Sequence, residues 1–303
     1  MTTKRQDWVS RGIDDAAYAA LARGLSSSET WSLLLGVIEE RARQRTAGSV
    51  QQQWESDRFV QPAYVDQRTL TELDGHLLAA ASSFEALELS PLAPLGTCSS
   101  VALTSQNRIV STVRGTEVVS DPTNVLALES ARRLRADPTQ VVRLATCHRC
   151  VRAQEVPKLP GYAAHFRIFC LATAGHERKD QAFVTDALVD HINTHLRALD
   201  RLEHHGYAFP DRNVKILATP QREPLGRRVA EALRAVPAST ATLEHGYYDG
   251  LRFMISTTGS NGTSIPLIDG GAFDWLGQLA ANDKLVYVAS GMGSQLAAYL
   301  FRR

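Results

Sequence analysis

Apolar residues recur along the chain at two spacings, and each spacing indicates one kind of secondary structure. Spacings of three and four, as at Leu70, Leu73 and Leu77, place apolar side chains on one face of a helix. Alternating residues and short apolar runs that end at proline or glycine indicate strands. Helices are predicted at 14–23, 26–42, 69–83, 121–134, 180–203 and 223–236. Strands are predicted at 84–91, 99–104, 108–113, 141–152, 165–172, 213–220 and 245–253. The stretch at 285–300 is predicted to be a strand, a glycine turn and a helix.

These elements predict a chain in two parts. The first part is a helical extension in which Ser26 and Glu29 form a capping box, and its polar run at 45–57 is either a linker or an exposed helix. A length of 303 residues with 44% hydrophobic residues is enough for one large domain with a small appendage. The predicted division is 1–58 for the extension and 59–303 for the main body, with a small insertion at about 205–240.

Charge and cysteine content exclude several classes of protein. Lys and Arg total 33 against 32 Asp and Glu, so a formal charge of +1 argues against a strongly basic nucleic-acid-binding face. No apolar run reaches the length of a membrane span, and the first residues lack the apolar core of a secretory signal. Four cysteines fit a reduced protein better than a disulfide framework. We therefore expect a cytoplasmic protein without membrane contact.

The stretch at 146–175 carries the most informative chemistry. The strand before it ends in Arg152, and the strand after the loop carries His165 and, four residues later, Phe169. A planar guanidinium matches phosphate oxygens, and an aromatic face suits a purine. The loop between the strands contains three residues that break regular structure: Pro157, Pro160 and Gly161. This arrangement resembles motif 2 of class II aminoacyl-tRNA synthetases.

Further stretches resemble the same family in the same order. The helix at 69–83 with its strand and Pro91 resembles motif 1, and the segment around Asp121 and Thr123 resembles the amine-binding loop of the histidyl branch. Near the C-terminus, the matching stretches contain a tyrosine pair, a glycine pair and a Gly-x-Gly turn: Tyr247, Tyr248, Gly270, Gly271, Gly291 and Gly293. The chain thus resembles the catalytic domain of class II synthetases over 69–303, and most of all the histidyl type.

The resemblance implies a fold, ligands and residue roles. It implies an α+β fold with a mostly antiparallel sheet flanked by helices, a homodimer formed through the motif 1 region, and binding of ATP with magnesium. Arg152 would hold the α-phosphate, Phe169 the adenine and His165 the phosphate tail, with Gly291 and Gly293 beside the nucleotide. The substrate, an amino acid or another carboxylic acid, would meet the residues Asp121, Thr123, Tyr247, Tyr248, Gly270 and Gly271.

Departures from the family pattern bear on activity. Motif 3 of active synthetases has an arginine that clamps the γ-phosphate, and Leu296 stands at that position. Gln154 stands where an acid follows the motif 2 arginine, and Leu243 where the histidyl branch has a further arginine. A working ligase would need a substitute cation, for which the candidates are Arg114, Arg167 and Arg252. Because phosphate-clamping charge is lost, an ordinary histidyl-tRNA synthetase is disfavoured. We also expect no anticodon-binding domain after Arg303, and tRNA binding is disfavoured.

The cysteines raise the question of a metal. Cys147 and Cys150 have the spacing of zinc ligands, but an odd separation on a strand points the two side chains to opposite faces. We therefore predict no metal-ligating residues and disfavour a zinc site.

Two functions remain open at this point. One is an enzyme that binds ATP and an amino acid, forms an aminoacyl-adenylate and passes the acyl group to a non-standard acceptor such as a carrier protein. The other is a non-catalytic sensor or regulatory paralogue that acts on a protein partner, like the histidyl-tRNA synthetase-like regulatory subunit of ATP phosphoribosyltransferase. The retained motif 2 favours the first function, and the lost motif 3 arginine favours the second.

Overall fold

The computed structural model describes residues 13–156, 161–233, 236–244, 246–259 and 262–303. These residues form two compact units. The first unit contains the described residues up to 61 together with 111–116, and the second contains 62–110 and the described residues from 117 to 303.

The first unit is helical. Its helices are α1 (Asp15–Ala19), α2 (Ser27–Arg43) and α3 (Ala47–Ser56). Ser26 and Glu29 form the predicted capping box at the start of α2, where each side chain bonds the other residue's backbone N–H. The run at 45–57, left open between a linker and a helix, is mostly helix α3. None of the three helices contains a buried residue.

The second unit is built on an eight-stranded sheet with a separate two-stranded sheet. Its strands are β1 (Glu85–Ala86), β2 (Leu92–Pro94), β3 (Thr116–Val118), β4 (Val142–Val151), β5 (His165–His176), β6 (Asn213–Ala218), β7 (Ala238–Thr242), β8 (Leu251–Thr258), β9 (Ser264–Phe273) and β10 (Leu285–Met292). The large sheet has the order β1-β4-β5-β10-β9-β8-β6-β7. Five of its seven pairings are antiparallel, so the predicted α+β fold with a mostly antiparallel sheet is confirmed.

Helices cover both faces of this sheet. They are α4 (Gln67–Ala80), α5 (Pro122–Ala136), α6 (Ala182–Glu203), α7 (Glu223–Ala232), α8 (Trp275–Ala280) and α9 (Ser294–Leu300). On one face α4, α6, α7 and α9 contribute to a core that includes Leu73, Leu188 and Phe169. On the other face α5 and α8 pack through Leu126 and Trp275. No helix in the described ranges is both long and apolar enough to cross a membrane.

Three predicted strands differ from the structure near the site. The strand predicted at 84–91 is only Glu85–Ala86, because the chain turns away from β4 before Pro91. The strands predicted at 99–104 and 108–113 are replaced by a turn at Thr97–Val101 and a 3₁₀ turn at Gln106–Arg108. The buried Glu117 carboxylate causes this difference, since it accepts hydrogen bonds from the Gly96 and Cys98 backbone N–H groups and from the Gln106 side chain.

The strand predicted at 245–253 begins only at Leu251. Gly250 has a φ of 71°, a left-handed conformation that favours glycine, and a turn over 246–250 precedes it. The tyrosine pair therefore lies on a turn beside the sheet and not within a strand. His245, at the start of the predicted strand, lies outside the described residues.

Candidate functional site

A cavity of about 640 Å³ opens on the face of the sheet that also carries α5. The side chains of Ile168 on β5 and Ala289 on β10, with Gly291, form its central surface, which we call the cavity floor. The first turn of α5 forms one wall, and the tyrosine turn before β8 forms another. The cavity lies entirely within the second unit.

Asp121 and Arg152 meet on the α5 wall. Asp121 caps α5 through Oδ1, which accepts from the backbone N–H of Thr123 at 3.0 Å and from its hydroxyl at 2.7 Å. Arg152 donates from Nε to the Ser120 carbonyl at 3.0 Å and from Nη2 to Asp121 Oδ2 at 3.4 Å. Both side chains of the pair are partly exposed to the cavity, at 33% for Arg152 and 23% for Asp121. Arg152, predicted to bind phosphate, and Asp121, predicted to bind the amine, thus form an ion pair with each other at the long distance of 3.4 Å.

The aromatic residue beside Arg152 is Phe166, and this corrects the role assigned to Phe169. Phe169 is fully buried in the core on the opposite face, with its ring 5.7 Å from that of His195. Phe166 is half-buried, lines the cavity and lies with its ring centroid 5.0 Å from the Arg152 guanidinium carbon. The cause is the strand pairing: Cys150 is opposite Phe166, so residue 166 shares the face of residues 150 and 152. His165 interacts with Arg149 at 3.0 Å and does not line the cavity.

The tyrosine wall is held by an ion pair on the sheet. Arg252 donates two hydrogen bonds to Asp269, at 2.9 and 2.6 Å, and the Tyr248 hydroxyl donates to the same carboxylate at 2.9 Å. Burial raises the pKa of Tyr248, and the neighbouring Asp269 charge raises it further. A Cβ atom on Gly271 would lie 2.5 Å from the Tyr248 ring, so this glycine lets the tyrosine lie flat on the strand. Tyr247 and Gly270 line the cavity, whereas Gly271 lies beneath Tyr248 and does not.

The stretch that resembles motif 3 brings glycine backbone close to the cavity but adds no charged side chain. A Cβ atom on Gly291 would lie 2.8 Å from Ile168 Cδ1, so a side chain there would fill the floor. Gly293 ends the turn before α9, and the side chain at position 296 on this helix is apolar Leu296, which lines the cavity.

Two of the three described arginines that line the cavity, Arg152 and Arg167, are paired with carboxylates. Besides Arg152, the candidate cation Arg167 pairs with Asp74, whose pKa is raised by burial. The candidate Arg252 pairs with Asp269, while Arg114 belongs to the first unit. Arg108 is exposed at the rim of the cavity and has no ion pair with any residue that the structure describes.

A buried polar network lies behind the floor, on the α6 side of the sheet. The Ser290 hydroxyl is 2.9 Å from His191 Nδ1 and 2.8 Å from His195 Nε2. His191 Nε2 is also 2.9 Å from the Thr173 hydroxyl. Burial lowers the pKa of both rings, well below the usual value for His191 and to about 3 for His195. Both rings are therefore neutral at pH 7.

Cysteine placement follows the strand alternation. Cys147 packs in the core that contains Phe169, while Cys150 faces the side of Asp121. Burial raises the pKa of both thiols. Among the described residues no group of three or more His, Cys, Asp or Glu side chains is arranged to hold a metal ion.

The cavity brings together most, but not all, of the predicted site. Its lining includes eight predicted residues: Asp121, Thr123, Arg152, Tyr247, Tyr248, Gly270, Gly291 and Gly293. Sequence reasoning missed Phe166, Asn124 and Asp269. Counting along the hairpin from Arg152 could have found Phe166, but only with the strand register known. Asn124 and Asp269 are adjacent in sequence to the predicted residues Thr123 and Gly270, and no sequence pattern marks either of them as a site residue.

Comparison with known proteins identifies the fold. No family model and no curated protein sequence matches the chain. Among solved structures, a Bacillus halodurans protein described as an ATP phosphoribosyltransferase regulatory subunit/histidyl-tRNA synthetase matches with a TM-score of 0.62 and 13% identity, over 79% of this chain and 81% of that one. Histidyl-tRNA synthetase from Nostoc matches with a TM-score of 0.54 and 14% identity, over 78% and 72% of the two chains.

A third solved structure, apo histidyl-tRNA synthetase from S. aureus, has a TM-score of 0.55 and 10% identity. The alignment covers 76% of this chain and 64% of that one. The chain therefore has the class II aminoacyl-tRNA synthetase catalytic-domain fold, with histidyl-type structures among its neighbours, as the order of motifs predicts.

Proposed function

We propose that this protein binds a free amino acid in the cavity and acts as a non-catalytic sensor or regulatory subunit. One observation carries the proposal: among the described residues, the cavity retains polar groups for a zwitterion, and the arginines in its interior are already paired with carboxylates. Arg152 and Arg167 are paired with carboxylates, and Leu296 occupies the position where a γ-phosphate clamp would stand.

The charge balance supports binding of an amino acid without adenylation. Removing one electrostatic contact to a transition state costs roughly 10²–10³ in rate, or about 2.7–4 kcal/mol. A pyrophosphate tail beside Leu296 would be an anion against an apolar side chain, which is unfavourable without a compensating partner. A zwitterion makes no such demand, since its two charges match the Asp121–Arg152 pair.

The zwitterion fits this pair in one orientation. Its ammonium group would lie at Asp121 and Thr123, and its carboxylate would receive hydrogen bonds from the Arg152 guanidinium. The side chain would then extend over the floor towards the tyrosine wall. The description of the Bacillus halodurans neighbour as a regulatory subunit supports a role of this kind, exerted on a protein partner.

A second candidate function is supported by a separate observation. The Phe166 ring beside the Arg152 guanidinium provides an aromatic face and a cation on the cavity wall, which suit adenine and an α-phosphate. In this alternative the protein binds magnesium-ATP and forms an aminoacyl-adenylate for a non-standard acceptor, with the exposed Arg108 as the remaining cation for the phosphate tail.

Isothermal titration and pyrophosphate exchange separate the two candidates. We expect amino-acid binding that is lost in Arg152→Ala and kept in Arg135→Ala, an exposed arginine of α5 outside the cavity. Amino-acid-dependent pyrophosphate exchange should be absent or weak. Brisk exchange in the unmodified protein would establish the adenylating alternative, and binding of neither ATP nor any amino acid would refute both.

A further inference from the structure

The helical first unit exposes an unusual share of the apolar surface of this chain. Nine of the 17 exposed large hydrophobic side chains in the described residues lie at 13–60. None of the helices α1, α2 and α3 contains a buried residue. Helices in proteins draw most of their stability from packing an apolar face against a neighbour. Exposed apolar side chains that are concentrated in this way indicate an interaction surface, whereas singly scattered ones do not.

One row of side chains on α2 shows what this surface fits. Four residues at intervals of four lie along the same face of the helix, and we call them the α2 row: Glu29, Leu33, Val37 and Arg41. Leu33 is 50% exposed and Val37 is 47% exposed. The row begins with an acid, continues with two apolar side chains and ends with a base. It is therefore complementary to itself when a second copy runs in the opposite direction.

An antiparallel second copy would pair every member of the row. A two-fold axis at residue 35 places Glu29 of one copy opposite Arg41 of the other copy. The same axis places Leu33 opposite Val37, so that apolar side chains meet each other. Antiparallel packing also sets the two helix dipoles against each other, which is favourable.

The charges at both ends of the row are available for such a contact. Arg43 pairs with two glutamates of the preceding turn. Arg41 is exposed and has no ion pair with any residue that the structure describes. Glu29 is exposed and accepts hydrogen bonds from Ser26, which lower the pKa of its carboxyl group, so it is charged at pH 7. Exposed pairs of this kind add little affinity, but they select the antiparallel direction over the parallel one.

A glycine in the middle of α2 is a separate observation that favours a close helix partner. Gly36 is exposed, and a Cβ atom built on it would meet no heavy atom within 4 Å. Glycine inside a helix is destabilising relative to alanine, and no contact within the described residues requires it here. The backbone of a second helix could approach closely at this position, which borders the α2 row near the two-fold axis.

We propose that the α2 row binds the α2 row of a second copy of this chain in antiparallel orientation. A stable interface needs roughly 20–30 residues on each side. The three helices have 5, 17 and 10 residues, so α2 alone is too short. Val50 and Trp54 on α3, which are exposed at helical spacing, extend the apolar surface. The contact is separate from the cavity and does not rest on the proposed function.

The test is cross-linking of Gly36→Cys in the full chain with a short bismaleimide. The new thiol would have open space in one copy and a second thiol close by in the pair. The four natural cysteines are buried and should react slowly. We expect covalent dimers of Gly36→Cys. The matched control is Gly48→Cys, an exposed glycine on the side of α3 opposite Val50, which should give no covalent dimer.

Further changes in the Gly36→Cys protein test the row itself. Leu33→Glu with Val37→Glu should lower the yield of covalent dimer about tenfold or more, because like charges would face each other. Arg41→Glu should lower the yield roughly twofold to fivefold, since it would face Glu29. Adding Glu29→Gln should restore the yield, and glutamine keeps the capping box of α2. Circular dichroism should show unchanged helix content in every variant, because all these side chains are exposed.

Each contrary outcome has a defined meaning. Equal cross-linking of Gly36→Cys and Gly48→Cys, or a yield that survives the two glutamate changes, would overturn the proposal. Dimers in sedimentation without cross-linking of Gly36→Cys would overturn it as well and leave only the dimer that the motif 1 resemblance implies. Failure of amino-acid binding in calorimetry would refute the proposed function and leave the α2 contact in place.

Discussion

Acidification should destabilise this fold through the buried His191 and His195. Both rings are fully buried and neutral, and burial lowers their pKa values in the folded protein. In the unfolded chain the pKa of each histidine returns to about 6.5. The unfolded state therefore binds more protons as the pH falls below 6.5, and the stability present above that value is lost progressively towards pH 3.

The size of the effect follows from the two pKa values. At pH 5.5, one unit below the histidine pKa in the unfolded chain, each ring that stays neutral in the folded protein lowers the free energy of unfolding by about 1.4 kcal/mol. The two rings together should then lower the free energy of unfolding by about 3 kcal/mol between pH 7.5 and pH 5.5. Carboxylates with their usual pKa values near 4 contribute little in this window. Burial raises the pKa of Asp74, but this group contributes equally to wild type and to a histidine variant.

Urea unfolding at the two pH values, followed by circular dichroism, measures this loss. His195→Leu removes one titrating ring and one hydrogen bond to Ser290, so it should cost about 1 kcal/mol at pH 7.5. The same variant should lose about 1.4 kcal/mol less than wild type on acidification. Burial also lowers the pKa values of His76 and His148, but these rings contribute equally to both proteins. The exposed His204→Leu is the control, and identical acid losses in wild type and His195→Leu would refute the argument.

Four further outcomes test the site and the assembly. Leu296→Arg should raise amino-acid-dependent pyrophosphate exchange if the cation at that position is what adenylation lacks. In the adenylating alternative, Phe166→Ala should lower nucleotide affinity with little change in stability. Phe169→Ala should cost about 3–5 kcal/mol of stability in either case, since only this ring is in the core. Gly291→Val should abolish ligand binding in calorimetry, because its side chain would meet Ile168 and fill the floor. Sedimentation should show the dimer that the motif 1 resemblance implies, and a monomer at micromolar concentration would contradict it.

The sequence predicted the long elements well because their patterns repeat several times. The helix predicted at 180–203 is Ala182–Glu203, and the hairpin predicted at 141–152 and 165–172 is Val142–Val151 with His165–His176. The α5 cap was also predictable, because Asp121 lies directly before Pro122 and the helical stripe follows. Such features depend only on neighbours along the chain.

The parts that failed depend on contacts across the fold. The choice between Phe166 and Phe169 depends on which residue of β4 lies opposite each one, and a shift of one residue exchanges the two faces of a strand. The turns after Pro94 depend on hydrogen bonds to the Glu117 carboxylate, some twenty residues later. Neither the register nor such a distant acceptor can be read from hydrophobic spacing.

Under the proposed function, the Asp121–Arg152 pair has a consequence for the range of amino-acid concentrations to which the protein would respond. A ligand zwitterion must replace an interaction that the cavity already makes with itself, and partly exposed pairs of this kind are worth about 0.2–1 kcal/mol. That competition weakens binding by up to about fivefold relative to a cavity with free charges. Occupancy then changes most over a higher range of amino-acid concentration, and the ligand leaves as its concentration falls, because the pair re-forms behind it. For the proposed sensor, such a response would suit the measurement of a fluctuating pool better than the capture of a scarce compound.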